Sequence, residues 1–150
     1  MIYIYQLIAS FFASAGFGIL FNAPRRALIS CGATGAVGWI VFYLFQEGGT
    51  DAVLASYIGA IFLTAVSLFN SRRMKMPVII FITCGIIPLV PGGTAYEAMR
   101  HVVMNQYTEA QEYAFQAALV SGAIALGIIS TEMADQVFRM VKNKFGRKEA

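Results

Sequence analysis

Residues 78–96 read VIIFITCGIIPLVPGGTAY. The apolar part, 78–90, would make a helix of about 20 Å, which is shorter than the ~30 Å hydrocarbon core of a bilayer. Proline removes a backbone donor and glycine permits almost any turn. Four such residues follow one another closely: Pro88, Pro91, Gly92 and Gly93. A helical pattern resumes at residue 94, so the stretch predicts a membrane-spanning segment, 78–104, that is interrupted at a Pro/Gly bend.

An interrupted span has two interpretations. Irregular backbone at membrane depth is tolerated only where it is buried in protein or lines a water-filled cavity. Breaks of this kind commonly form the substrate site of secondary transporters. We therefore predict that the bend lines a transport pathway. The alternative is a kink that ends one span and begins a helix lying at the membrane surface.

The composition of the whole chain agrees with a membrane location. Of its 150 residues, 58% are hydrophobic and 13% are charged, and the mean hydropathy is +0.66. A soluble domain is about a quarter charged, and a domain of this size cannot bury such an apolar excess in one core. The sequence therefore predicts an all-α, multi-pass protein of the cell membrane.

Apolar runs and their polar boundaries predict about five spans within a single domain, 1–150. The predicted spans are 2–21, 27–45, 52–69, 78–104 (interrupted) and 113–131. A basic tail, 138–150, follows the last of them. Five spans place ten of the 11 Lys and Arg residues on one face. The positive-inside rule then predicts an N-terminus outside the cell and a cytoplasmic C-terminus.

Small residues recur in the second predicted span at Gly32, Gly35 and Gly38. Small residues let helices approach closely in lipid, where packing replaces the hydrophobic effect. We predict that these glycines serve helix packing. The alternative is a surface against which another subunit slides.

Three ionisable residues are candidates for proton coupling. Glu97 and His101 lie four residues apart and so share one helical face. Asp135 lies near the end of the fifth span, and ionisable residues within membranes are functional candidates by default. The alternative for all three is solvation at the membrane surface. One Glu and one His cannot close a metal site, so we predict no metal.

The sequence gives little support for catalysis. His101 is the only histidine, and we find no serine paired with a histidine and a carboxylate, no phosphate-binding loop and no metalloprotease motif. Cys31 and Cys84 lie in apolar runs and are predicted to be buried thiols. We therefore predict a protein that is not an enzyme, holds no cofactor and binds no nucleic acid.

Several motifs resemble the threonine/serine exporter (ThrE) family, and more narrowly its short YjjB-type subunit, which is equivalent to the C-terminal half of fused exporters. The motifs are GILFNAPRRAL at 18–28, Cys31-Gly32, GAVGW at 35–39 and IIPLVPGGTAY at 86–96. The resemblance spans essentially the whole chain, and the P-L-V-P-G-G-x-x-Y element is its most specific part.

This resemblance implies one subunit of a two-component secondary exporter, acting with a YjjP-like membrane subunit. The cargo would be a small hydrophilic metabolite, either L-threonine and L-serine or a dicarboxylate such as succinate, with export driven by the proton-motive force. A non-transporting assembly subunit is the alternative. The residues we expect along the substrate pathway are Pro88, Pro91, Gly92, Gly93, Thr94, Tyr96, Asn22 and Arg26.

Overall fold

The structure, a computed structural model, describes residues 2–146, and the side chains of residues 2–142. It consists of six α-helices: α1 (Ile2–Leu20), α2 (Leu28–Glu47), α3 (Ala52–Met74), α4 (Val78–Gly85), α5 (Gly92–Val103) and α6 (Tyr107–Gly146). Two short 3-10 turns, Arg25–Ala27 and Ile87–Leu89, precede α2 and follow α4. The connections between the helices are short, and neighbours in sequence pack beside one another except for α4 and α5.

Four helices, α1, α2, α3 and α6, are long and apolar enough to cross a membrane. A fifth candidate span is the bent pair Val78–Leu89 and Gly92–Val103, whose two parts meet at 53°. The all-helical bundle of about five spans, with the fourth broken at the Pro/Gly bend, is therefore confirmed.

Local sequence explains most helix ends. The Asp51 carboxylate accepts the Val53 N–H at 3.2 Å and caps the start of α3. Gly49 has φ +85° after α2, a backbone conformation that glycine adopts without strain. Lys75 takes the left-handed conformation at the end of α3. Pro77 is the N-cap residue that directly precedes α4, a position outside the helix where its missing N–H removes no intrahelical hydrogen bond.

The helix directions define two ends of the bundle. The connection after α2 carries Glu47 and Asp51, and we call this the acidic end. The opposite end, which carries Arg25, Arg72 and Lys75 among others, is the basic end. Helix α2 lies at the centre, antiparallel to both α1 and α3 and also in contact with α4. Helix α6 packs against α3 and runs in the same direction, since Gly127 lies beside Ala60 and Asp135 pairs with Arg72.

The three glycines of α2 lie at close contacts with three different partners. A Cβ on Gly35 would lie 2.6 Å from Ser14 Cβ of α1, and one on Gly32 would lie 2.7 Å from the ring of Phe11. A Cβ on Gly38 would lie 3.0 Å from Leu63 Cβ of α3. Gly32 and Gly35 therefore allow α1 to pack closely against α2, whereas Gly38 allows the close approach of α3.

Helix α6 is longer than the predicted span of 113–131, and α3 extends past residue 69 to Met74. Hydropathy marks the part of a helix that lipid contacts, while the helix itself continues until a residue breaks it. Neither the acidic residues before position 113 nor the basic residues after 131 break a helix. The predicted basic tail thus begins inside α6, and its residues 147–150 lie outside the described part of the chain.

Both outer helices expose many large apolar side chains. Phe12 and Ile19 of α1 are 68% and 67% exposed, and Leu126 of α6 is 63% exposed. Such faces meet lipid or another membrane subunit, since water would oppose their exposure.

Candidate functional site

The interrupted fourth span lines a cleft near the acidic end of the bundle, with a volume of about 440 Å³. The residues around it come from α2, α3, the interruption and α6. They are Trp39, Phe42, Gln46, Ala52, Ser56, the segment 88–94, Gln116 and Val120. The cleft is thus a meeting point of four parts of the chain that are distant in sequence.

The interruption is anchored in the bundle through one residue, Leu89, while Val90, Gly92 and Gly93 are exposed. Leu89 is buried and packs against α3 beside Gly59, where a Cβ would lie 3.2 Å from its side chain. Gly59 is seven residues into α3, which corresponds to about 10 Å from the acidic end of that helix. The floor of the cleft therefore lies about two helical turns from the acidic end of α3.

The backbone is unusually open at this point. A Cβ built on Gly92 or Gly93 would have nothing within 4 Å. The first turn of α5 leaves N–H groups without intrahelical acceptors, and among the described residues Gly93 and Thr94 find no backbone acceptor. The Thr94 hydroxyl donates to the Pro91 carbonyl at 2.9 Å. The N-terminus of α5, with the positive end of the helix dipole and its unpaired N–H groups, therefore lies at the cleft.

Neutral polar side chains complete the cleft. Gln46 of α2 and Gln116 of α6 bring carboxamides from two sides. The Trp39 indole N–H donates to Gln6 Oε1 of α1 at 2.8 Å, which fixes the ring beside the cleft. Among the described residues that line the cleft, none is charged. This lining can bind a small polar molecule through hydrogen bonds.

The structure brings together five of the predicted pathway residues: Pro88, Pro91, Gly92, Gly93 and Thr94. Tyr96 is 66% exposed on α5 and does not line the cleft. Asn22 lines a separate pocket of about 220 Å³ at the basic end, and Arg26 is exposed in the turn before α2.

Sequence reasoning missed Trp39, Phe42, Gln46 and Gln116. Gln46 and Gln116 stand at the polar boundaries of predicted spans, where a polar residue is ordinary and gives no signal. The two aromatic residues lie in an apolar run, in which any residue could face lipid.

The candidates for proton coupling lie away from the cleft. Glu97 forms an ion pair with Arg100 at 3.1 Å, and its carboxylate lies 3.8 Å from His101 Nε2. His101 also contacts Gln106 through Nδ1 at 2.7 Å and stacks on Tyr113 of α6. This cluster therefore joins α5 to the first turns of α6.

Asp135 lies at the opposite, basic end. Its carboxylate accepts hydrogen bonds from Arg72 of α3 and from Arg139 Nε at 2.9 Å. Among residues 2–146, no three His, Cys, Asp or Glu side chains come close enough to hold a metal ion. Cys31 and Cys84 are buried and free, as predicted.

An interrupted span with an uncharged cleft at the interruption is typical of secondary transporters. The family model described as Threonine/Serine exporter, ThrE, matches residues 6–134, which is most of the chain. The chain belongs to this threonine/serine exporter family. No solved structure matches it.

Proposed function

We propose that this protein is one subunit of a two-component exporter, driven by the proton-motive force, and that its substrate binds in the cleft at the interruption. The substrate is a small hydrophilic metabolite: L-threonine or L-serine, or a dicarboxylate such as succinate. The proposal rests chiefly on one observation. The interruption of a candidate membrane span presents free amides and open space beside two carboxamides.

The exposed apolar faces of α1 and α6 support association with a second membrane subunit, which we propose to be YjjP-like. We further propose that the basic end faces the cytoplasm, as the positive-inside rule favours. A green fluorescent protein fused after residue 150 should then fluoresce, and an alkaline phosphatase fused there should be inactive. The reverse pattern would overturn this orientation.

Trp39 offers a direct test of binding, because it is the only tryptophan and it lines the cleft. We expect L-threonine, L-serine or succinate to change its fluorescence in a saturable way in the purified protein, alone or with its partner. Gln116→Leu removes a hydrogen-bonding group that contributes about 0.5–1.5 kcal/mol. The affinity should therefore fall about two- to tenfold.

Ser121→Ala is the matched control, since Ser121 lies on α6 five residues beyond Gln116 and outside the cleft. Its hydroxyl donates only to the Ala117 carbonyl of its own helix, so the affinity should stay unchanged. A fluorescence response that is the same in Gln116→Leu and in the unaltered protein would argue against this site.

A further inference from the structure

A second cleft, of about 300 Å³, opens at the basic end between α3 and α6. Phe69 and Phe138 form part of its apolar wall, while Arg72, Thr131 and Asp135 supply its polar groups. None of the residues that line the first cleft takes part in it.

Both clefts lie along the same contact between α3 and α6. Ser56 lines the first cleft and Arg72 lines the second. These positions are sixteen apart in α3, which corresponds to about 24 Å of helix. This distance approaches the ~30 Å thickness of the hydrocarbon core. The two clefts thus open near opposite faces of the membrane.

Between the clefts the two helices touch closely. A Cβ on Gly127 of α6 would lie 2.8 Å from both Ala60 Cβ and the Tyr57 carbonyl oxygen of α3. Ala60 and Ile124 are buried at this level. The contact leaves no room for a metabolite, so each cleft is closed from the other.

Asp135 pairs with two arginines, of which Arg72 lines the second cleft and Arg139 does not. Asp135, whose side chain is 16% exposed, accepts from both Arg72 and Arg139. Two guanidinium groups and one carboxylate leave a net charge of one positive unit. A guanidinium has five N–H donors and suits paired bonds to a carboxylate. Asp135 therefore leaves donors on both arginines free for a second carboxylate.

We propose that the cleft at the basic end is a binding site for a small carboxylate, which Arg72 holds while Arg139, paired with Asp135 one helical turn away, adds positive charge beside the cleft. The Asp135 carboxylate stays beside Arg72, and its negative charge opposes the binding of a second carboxylate. Amino acids and dicarboxylates both carry the required group. The role of this cleft as the loading site of an exporter rests on the proposed function, whereas binding itself does not.

The test is equilibrium dialysis of the full chain, purified with its partner subunit, against labelled succinate and, separately, labelled L-threonine. A charge-assisted hydrogen bond contributes about 1.5–3 kcal/mol. Arg72→Gln should therefore weaken binding at least about tenfold. Asp135→Asn should strengthen it several-fold, because it removes the competing charge. If Asp135→Asn raises the affinity for succinate more than the affinity for L-threonine, the dicarboxylate is the better ligand.

Arg73→Gln is the matched control, since Arg73 is exposed, adjacent in sequence and outside the cleft. It should leave both affinities unchanged. Arg72→Lys keeps the positive charge but loses the planar guanidinium with its paired N–H donors. This variant should therefore bind the probes less tightly than the unaltered protein and more tightly than Arg72→Gln. If Asp135→Asn proves unstable by size-exclusion chromatography, Arg139→Gln replaces it, and weaker binding is expected.

Equal weakening by Arg72→Gln and Asp135→Asn would show a purely structural ion pair and overturn the proposal. Absence of binding by both probes would also overturn it. Failure of the proposed function looks different: substitutions in the first cleft would leave export intact, while the opposite effects of Arg72→Gln and Asp135→Asn on binding would persist.

Discussion

Replacement of both Gly92 and Gly93 by valine is expected to reduce threonine efflux about tenfold or more while the protein still inserts and folds. A Cβ at either position has nothing within 4 Å, so the added side chains meet no part of this chain. Both glycines line the cleft, so the added valine side chains reduce the space that we propose for the substrate. Overpacking typically costs about 1–3 kcal/mol, and each 1.4 kcal/mol is about tenfold in affinity.

The measurement is efflux from cells loaded with threonine-containing dipeptides, with the membrane content of the protein determined in parallel. Gly122→Val is the matched control, because a Cβ there also has nothing within 4 Å, but Gly122 lies on α6 outside the cleft. It should leave efflux near the unaltered level. Normal efflux in the Gly92/Gly93 variant would remove the transport role of the interruption and favour a non-transporting assembly subunit.

Gly35→Ala is expected to destabilise the bundle, with a cost of about 1–3 kcal/mol from overpacking. The added Cβ would lie 2.6 Å from Ser14 Cβ and 3.2 Å from the Gly85 carbonyl oxygen. Neither neighbour is the end of a flexible side chain, so the helices themselves must move. Thermal unfolding followed by size-exclusion chromatography in detergent should show a lower melting temperature and less folded protein.

A second substitution gives this prediction its control. Ser14 is fully buried, and its hydroxyl finds no hydrogen-bond partner among the described residues. Ser14→Gly removes the atom that Gly35→Ala would meet, so the double variant should recover part of the lost stability. Gly16→Ala, where a Cβ has nothing within 4 Å, should leave stability unchanged or slightly raise it. Equal losses in Gly35→Ala and Gly16→Ala would contradict the close contact.

The amino-acid sequence predicted the membrane class, the number of spans and the position of the interruption. Composition decides the first, because apolar residues in this excess must meet lipid, and the division of the chain into apolar runs decides the second. Proline and glycine decide the third, since they act on their own backbone wherever they stand. Five pathway residues, 88 and 91–94, line the cleft for this reason.

Other positions needed the arrangement of the helices. In lipid both the buried and the exposed faces of a helix are apolar, so the sequence pattern does not reveal which face meets protein. Trp39 and Gln116 reach the cleft because α2 and α6 both pack against α3. Tyr96 falls outside it because the turn of α5 places its side chain on the exposed face.

The broken span at 78–104 was therefore visible in the sequence, while its surroundings were not. Local backbone chemistry determined that the α-helix is interrupted between Gly85 and Gly92, around Pro88 and Pro91. Tertiary packing decided that the interruption opens toward two carboxamides. The same packing brings Arg72 to Asp135, 63 residues away. Contacts between distant residues follow from the parallel course of α3 and α6, which no local pattern encodes.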